Sequence, residues 1–335
     1  MKRGSVLDVS VVFGRHEVQK VGNPPTLSEG LINKGQGVQQ EGHLLREDDF
    51  VAQVKKLLRL AETCLPADVS EALREAYELE DSELSRMQLR ALLENSRIAC
   101  EGSLPICQDT GMISFYVFVG VNSQLPGWLS QCLRRAVIEL SDEMPLRPNL
   151  VSAFRRGNLG NVGACAPQIW IEQVPGESIE LVVLPKGGGS ENMSSLTMLR
   201  PWEGLEGIRR VVLSHIQNSG GQPCPPTIVG VGVGGGADVA TKLAKRALSR
   251  SLYERNPDPE VANLERKLKN EANTLGIGVM GLGGRTTVLG VNVEVCDCHV
   301  ASLPVAINMH CWAARRAKMI ISPQGDFHFI SYEAK

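Results

Sequence analysis

Three cysteines of this 335-residue chain lie in predicted loops, and the first two of these loops have no apolar periodicity that would bury a thiol. These are Cys107 in Pro105-Ile-Cys-Gln-Asp-Thr-Gly111, Cys224 in Pro223-Cys-Pro-Pro226, and Cys311 shortly after Pro304-Val-Ala-Ile-Asn308. Zinc sites usually use closely spaced cysteine pairs, whereas these three are far apart in the sequence. Three thiolates from separate loops could instead hold a 4Fe-4S cluster, in which the iron without a protein ligand is a Lewis acid. The alternative is that each thiol is a small buried hydrophobic group.

An amide and a carboxylate directly follow the first of these cysteines. Asp109 could move a proton beside a metal held at Cys107, and Gln108 could bind a substrate oxygen. Asp-Thr-Gly is equally good turn-forming sequence, so an Asx-turn without a catalytic role explains the same residues. The sequence alone leaves both interpretations open.

Two glycine-rich loops follow predicted strands and precede predicted helices. In Lys186-Gly-Gly-Gly-Ser-Glu-Asn192, the main-chain amides could form an anion-binding nest. The loop Gly230-Val-Gly-Val-Gly-Gly235 matches the dinucleotide-binding pattern, which also needs an acidic residue ending a second parallel strand. The acidic residue at that spacing, Glu254, falls in a predicted loop between two helices. A tight strand-to-helix turn is therefore favoured over dinucleotide binding.

The charges of the chain are nearly balanced, with 35 lysines and arginines against 37 acidic residues. A basic surface for nucleic acid is therefore not expected. Arg147 could bind a substrate carboxylate with its guanidinium fork, whereas Arg155 and Arg156 are assigned to the solvated surface. No run of apolar residues is long enough to span a membrane, and no membrane partner is expected.

The nine cysteines are not expected to form a disulfide framework, because the first residues do not resemble a secretion signal. We therefore predict a cytoplasmic protein whose thiols are free or bound to metal. Cys132, Cys64 and Cys100 are predicted to be small hydrophobic groups on or near helices. The segment Cys296-Asp-Cys-His299 could hold a second metal, although two thiols at a strand end are as often inert.

Hydrophobic periodicity predicts an α/β protein, with an N-terminal helical layer followed by mixed α/β layers. Helices are expected to begin near Glu47, Pro66 and Ser82. Further helices are predicted over residues 128–140, 203–217, 237–252 and 259–274, and strands over residues 113–119, 169–174, 179–184, 227–233 and 286–296. The strands at 169–174 and 179–184 are predicted to form a hairpin, because Pro175-Gly-Glu177 separates them.

Six motifs of the chain occur in one characteristic order. They are the Cys107 loop, Lys186-Gly-Gly-Gly-Ser-Glu-Asn-Met-Ser194, Cys224-Pro-Pro with the glycine strand after it, Gly281-Leu-Gly-Gly-Arg-Thr-Thr287, Ser302-Leu-Pro-Val-Ala306 and Cys311-Trp-Ala-Ala-Arg-Arg316. In this order the chain resembles the alpha subunits of the class I, iron–sulfur fumarate hydratases and of the related L(+)-tartrate dehydratases. The resemblance covers residues 48–319.

The resemblance implies roles for particular residues. The ligands of a 4Fe-4S cluster would be three cysteines: Cys107, Cys224 and Cys311. Gln108 and Asp109 would contact substrate, with Asp109 acting as acid or base. Arg147 would bind a substrate carboxylate, and a main-chain amide near Gly188 would contact substrate as well.

The resemblance also implies a function and an assembly. It predicts a hydro-lyase acting reversibly on a small dicarboxylate, with fumarate to (S)-malate favoured over L(+)-tartrate to oxaloacetate. The sequence is also compatible with a non-catalytic iron–sulfur scaffold or a zinc-binding module. A separate beta subunit would complete the active site in a hetero-oligomer. The iron–sulfur hydro-lyase alpha-type domain is predicted over residues 47–320, between a loop-like or disordered extension at 1–46 and a C-terminal tail at 321–335.

Overall fold

The computed structural model describes residues 45–330, which begin with a layer of three helices. These are α1 (Glu47–Thr63), α2 (Ala67–Leu79) and α3 (Glu83–Gly102). Their starts confirm the predicted positions, and the Ser82 side chain caps α3 by accepting a hydrogen bond from the amide of Ser85. No helix among the described residues is long and apolar enough to cross a membrane. The predicted extension lies outside the described residues except for its last two positions.

A five-stranded sheet shares a hydrophobic core with α1 and with α4 (Leu129–Glu143). Its strands are β1 (Met112–Gly120), β4 (Gln168–Val174), β5 (Ile179–Lys186), β10 (Ala317–Ile321) and β11 (Phe327–Ile330), in the order β11-β10-β5-β1-β4. Phe50, Phe115 and Leu133 are fully buried in this core. The predicted tail begins at the last residue of β10, and its described part adds β11 to the sheet edge.

The prediction that β4 and β5 form a hairpin is wrong. β1 lies between them, parallel to β4 and antiparallel to β5. The end of β1 also forms hydrogen bonds to the segment that connects β4 to β5. The amide of Gly120 donates to the carbonyl oxygen of Ser178 at 2.9 Å, and that of Asn122 to the carbonyl oxygen of Gly176 at 3.1 Å. β1 is buried along most of its length, and a central place in the sheet removes more of its apolar surface from water than an edge would.

Strands β2 (Leu150–Val151) and β3 (Asn158–Gly160) form a separate antiparallel pair. A four-stranded sheet has the order β6-β9-β7-β8. Its strands are β6 (Ser195–Leu199), β7 (Thr227–Gly235), β8 (Val288–Cys298) and β9 (Leu303–His310). Three helices accompany this sheet: α6 (Gly204–Ser219), α7 (Ala237–Ala247) and α8 (Pro259–Asn273). The helices and strands predicted in this part of the chain are confirmed, although α7 ends at Ala247, before the predicted end at residue 252.

The glycines of β7 serve helix packing. A Cβ atom added to Gly230 or Gly232 would lie 2.1 Å from the carbonyl oxygen of Ala244 or Ala240, both in α7. Only glycine allows the helix to approach the strand this closely. This contact explains the glycine pattern without a dinucleotide.

Cys64 and Cys100 form a disulfide, so the prediction that all thiols are free or metal-bound is wrong for this pair. The bond joins the residue after α1 to the last turn of α3, where the two Cα atoms are 4.7 Å apart. The sequence places these cysteines near helix ends but does not show that the two ends meet. The other cysteines among residues 45–330 are free.

Candidate active site

The three cysteine loops meet in the described part of the chain. Cys107 follows α3, Cys224 lies between α6 and β7, and Cys311 follows β9. The amide of Trp312 donates a hydrogen bond to the carbonyl oxygen of Cys224 at 3.0 Å, which joins two of the loops directly. Cys224 is exposed, and Cys107 and Cys311 are partly exposed. None of the three residues is therefore completely enclosed by the protein.

The thiols influence one another electrostatically. The pKa of Cys311 is raised to about 11, chiefly by burial, while Arg315 opposes the rise and the negative charges of Cys224 and Cys107 add to it. Burial raises the pKa of Cys224, and Cys107 and Asp109 raise it further. The thiolates of the three cysteine loops therefore repel one another, and a bound cationic group would relieve the repulsion.

This donor set fits an iron–sulfur cluster. Cysteine thiolates are the usual ligands of such clusters, and three of them leave one iron without a protein ligand. Among residues 45–330, no group of three or more His, Cys, Asp or Glu side chains is arranged to hold a metal ion. A cluster is larger than a single ion and is bound by thiolates that stand further apart.

The segment Cys296–His299 does not form a second ligand group in the part of the chain that the structure describes. The thiol of Cys298 donates to the carbonyl oxygen of Ser302 at 3.1 Å, and Nδ1 of His299 accepts from the amide of Ala301 at 3.1 Å. The Cys298 thiol and the His299 ring therefore both stabilise the turn that follows β8.

The Asp109 carboxylate is oriented by two main-chain amides. Its Oδ1 accepts a hydrogen bond from Gly111 at 3.0 Å, and its Oδ2 accepts one from Gly188 at 2.7 Å. The first bond is the Asx-turn contact that the sequence also predicts. The second joins the cysteine loop to the glycine loop, where α5 (Gly188–Glu191) begins. A turn and an oriented carboxylate therefore coexist, and one amide of the predicted nest, that of Gly188, donates to Asp109.

The close approach of these loops depends on glycine. A Cβ atom at Gly187 would lie 2.8 Å from Oδ2 of Asp109. At Gly111, where φ is +80°, a Cβ atom would lie 2.5 Å from the main chain of Lys186. A side chain at Gly111 would push the two loops apart, and one at Gly187 would displace the Asp109 carboxylate.

Arg147 is tied to the same loop through Thr110. The Thr110 hydroxyl accepts hydrogen bonds from the amide of Arg147 at 3.1 Å and from the Asn149 side chain at 3.2 Å. The Arg147 side chain is exposed, as is that of Gln108 beside Cys107. The structure therefore brings together five chain segments that carry predicted site residues.

A cluster of three charged side chains holds the glycine loop in place: Lys186, Glu191 and Lys245. Nζ of Lys186 lies 2.8 Å from one carboxylate oxygen of Glu191, and Nζ of Lys245 lies 3.3 Å from the other. Burial lowers the pKa of Lys186 to about 8, although Glu191 opposes this shift. These contacts hold both ends of the segment that carries Gly188.

Sequence reasoning missed a buried ion pair beneath the cysteine loop. Nη1 of Arg315 lies 2.8 Å from Oε2 of Glu62, and Nη2 of Arg315 donates to the carbonyl oxygen of Asp109 at 2.8 Å. Burial raises the pKa of Glu62 to about 7, although Arg315 lowers it. The only sequence signal is that Arg315 follows the short apolar run Trp312-Ala-Ala, which indicates a buried position.

The fold and site define a mixed α/β protein in which three cysteine loops meet beside an oriented carboxylate. The family model for fumarate hydratase (Fumerase) matches residues 51–320. The chain therefore belongs to the fumarate hydratase family and is a hydro-lyase.

Proteins named as alpha subunits of L(+)-tartrate dehydratase are similar to this chain. A putative L(+)-tartrate dehydratase subunit alpha from Methanocaldococcus jannaschii is 49% identical over 269 residues, covering 79% of this chain and 94% of the relative. The L(+)-tartrate dehydratase subunit alpha of Escherichia coli O157:H7 is 34% identical over 281 residues, covering 83% and 93%. The protein of the same name from Escherichia coli strain K12 is 33% identical over the same length.

Proposed function

We propose that the chain is the cluster-binding subunit of an iron–sulfur hydro-lyase, with fumarate and (S)-malate as the substrate pair. The observation that carries this proposal is the meeting of Cys107, Cys224 and Cys311 beside the oriented carboxylate of Asp109. When bound to these cysteines, a 4Fe-4S cluster supplies a Lewis acid for a substrate oxygen.

Other residues around the thiols transfer the proton and bind the substrate in this proposal. Asp109 gives or takes the proton at the substrate hydroxyl oxygen, because hydrogen bonds from two main-chain amides keep its carboxylate in place. Gln108 donates a hydrogen bond to a substrate oxygen, and its exposure beside Cys107 supports this role. Arg147 binds one substrate carboxylate through its guanidinium fork. A main-chain amide near Gly188 forms a further contact to substrate, while the Gly188 amide itself donates to Asp109.

The proposal includes a second subunit that completes the site. The relatives are named as alpha subunits, which supports a partner of the beta type and a hetero-oligomer. The partner supplies the base that removes the carbon-bound proton. Residues 47–320 form the catalytic domain in this proposal, and the enzyme acts in the cytoplasm.

The second candidate function is dehydration of L(+)-tartrate to oxaloacetate. It is favoured by the names of the relatives, including the one that is 49% identical. Tartrate differs from malate by one hydroxyl group, so the same carboxylate-binding and proton-transfer groups serve both substrates. Discrimination would then depend on groups that bind or exclude the second hydroxyl.

The test is anaerobic purification of the chain together with a beta-type subunit, followed by cluster absorbance, metal analysis and turnover. We expect absorbance of a 4Fe-4S cluster and turnover of fumarate and malate. Higher kcat/KM for L(+)-tartrate would select the second function. A cluster without turnover of any of these acids would indicate a scaffold, and zinc without iron would indicate a zinc-binding module.

A matched pair of cysteine variants tests the ligand assignment. Cys224→Ser should lose most of the bound iron, because a hydroxyl replaces a ligating thiolate. Cys165→Ser changes another exposed, free cysteine that the proposal leaves outside the cluster, and should keep the iron. Equal iron content in both variants would contradict the assignment of Cys224.

A further inference from the structure

The Arg315 side chain connects the interior of the protein to the proposed acid/base residue. One of its terminal nitrogens lies 2.8 Å from Oε2 of Glu62, and the other donates to the carbonyl oxygen of Asp109 at 2.8 Å. The side chains of Arg315 and Glu62 are 1% and 0% exposed. The guanidinium group therefore bridges the end of α1 and the cysteine loop. Asp109 in that loop is 206 positions from Arg315 in the sequence.

A buried ion pair generally stabilises a protein core less than apolar side chains of similar volume do. Removing two charges from water costs free energy, and well-packed apolar side chains often replace such pairs without loss of stability. Oε1 of Glu62 and Nε of Arg315 are buried without a hydrogen-bond partner among the described residues. The pair is thus only partly satisfied, and what distinguishes it is the hydrogen bond that it makes to the cysteine loop.

Glu62 also holds the loop on the other side of the cysteine. Its main-chain carbonyl oxygen accepts a hydrogen bond from the amide of Ile106 at 2.9 Å. The carbonyl oxygen of Ile106 in turn accepts one from the Asn95 side chain at 2.9 Å. The backbone is therefore fixed before Cys107 and again at Asp109, which leaves only the side-chain torsions of Asp109 to be set.

We propose that the Glu62–Arg315 ion pair is a positioning device that fixes the Asp109 backbone and so directs its carboxylate toward the amides of Gly111 and Gly188. The inference rests on the proposed function for the role of Asp109, but its structural part does not. Glu62 and Arg315 act through Asp109 and do not touch substrate. Loss of the pair releases the carbonyl oxygen of Asp109, and the carboxylate then leaves its two amide donors.

The neighbouring ion pair provides a matched control. Asp68 and Arg316 are as fully buried and are joined in the same way, by a carboxylate oxygen and a terminal guanidinium nitrogen. Asp68 instead accepts hydrogen bonds from the Ser251 hydroxyl at 3.0 Å and the Leu252 amide at 2.7 Å. Breaking this pair removes a buried charge of the same kind without releasing the loop.

The experiment compares Glu62→Gln with Asp68→Asn in the full chain by hydrogen–deuterium exchange, and in the holoenzyme with its beta-type partner by kinetics. In Glu62→Gln we expect the amides of Gly111 and Gly188 to exchange faster. We also expect kcat to fall by about tenfold with little change in KM, because the acid/base group is displaced. Asp68→Asn should leave both the exchange at these amides and kcat within about twofold of the wild type.

Equal effects of the two variants on exchange at Gly111 and Gly188 would overturn the proposal, since both would then act through stability alone. If Glu62→Gln does not fold, Arg315→Lys gives the same comparison, because one ammonium group cannot match the planar fork that spans both partners. Faster exchange in a holoenzyme without hydro-lyase turnover would reject the proposed function but keep the positioning role. Unchanged exchange in an active enzyme would reject the positioning role alone.

Discussion

The amide of Gly188 donates a 2.7 Å hydrogen bond to the Asp109 carboxylate, although the two residues are 79 positions apart in the sequence. This bond joins the loop after α3 to the loop after β5. Asp109 also accepts a bond from Gly111 within its own loop. The carboxylate is therefore oriented from two directions before any substrate arrives, as an acid/base group requires.

The first prediction concerns Asp109 itself. Asp109→Asn keeps the shape of the side chain but removes its ability to exchange a proton. We expect kcat to fall by about 10² to 10³-fold while the cluster absorbance is retained. Asp81→Asn, which changes an exposed carboxylate paired with Arg285, should leave kcat unchanged. Full activity of Asp109→Asn would contradict the acid/base role.

The second prediction concerns the contact between Gly187 and Asp109. In Gly187→Ala, the new methyl group would lie 2.8 Å from Oδ2 of Asp109 and would displace the carboxylate from the Gly188 amide. The backbone of Gly187, with φ −69° and ψ 152°, tolerates alanine, so stability should change little. We expect kcat to fall by about tenfold, measured at saturating substrate.

A neighbouring glycine supplies the control for this substitution. A Cβ atom at Gly189 would meet nothing closer than 3.6 Å, which is an ordinary contact. Gly189→Ala should therefore have wild-type kcat. If the two alanine variants lose activity equally, the effect lies in the flexibility of the loop and not in the contact with Asp109.

The third prediction concerns substrate binding by Arg147. Arg147→Lys keeps the charge but loses the planar fork that binds a carboxylate through two hydrogen bonds. We expect KM for the dicarboxylate to rise by about tenfold or more, with a smaller effect on kcat. Arg155→Lys, at another exposed arginine, should leave KM unchanged. A rise in KM for both variants would indicate general electrostatic attraction of the substrate.

The fourth prediction concerns the Cys64–Cys100 disulfide, which closes a loop with a sequence separation of 36. Replacing both cysteines by serine should lower the free energy of unfolding by about 3–4 kcal/mol, mainly by freeing the unfolded chain. The measurement is urea denaturation of the variant and the wild type. Dithiothreitol should destabilise the wild type and not the variant. No difference between the two proteins under oxidising conditions would contradict a stabilising role.

The fifth prediction concerns pH and Glu62, whose pKa is raised from 4.5 to about 7 in the folded protein. Between these two values the unfolded chain gives up the proton and the folded chain keeps it, so rising pH favours unfolding. Relative to Glu62→Gln, the wild type should lose about 3 kcal/mol of stability between about pH 4.5 and 7.5. Urea titrations at several pH values measure the difference, and a constant difference would contradict the raised pKa.

Local sequence patterns predict the helical layer and the cysteine loops. α1, α2 and α3 begin where carboxylates, proline and a capping serine predict them, because these signals act within one turn of the chain. The proline-flanked loops are identifiable because they have no apolar period. Both features depend only on residues that are neighbours in the sequence.

The order of the strands could not be read from the sequence. The turn Pro175-Gly-Glu177 fits a hairpin, but the structure places β1 between the two flanking strands. The strand order depends on which strand removes most apolar surface from water when it lies inside the sheet and not at an edge. That is a comparison among distant segments, and no local signal contains it.

The residue types of the site can be identified from local sequence: three thiols in loops, a carboxylate and glycines that permit close approach. Which of these residues meet depends on the folded core. It joined Cys64 to Cys100, brought Gly188 to Asp109, and placed Arg315 beneath the cysteine loop. These contacts form because the core brings distant loops together, and buried polar groups then bond to whichever partners lie within reach.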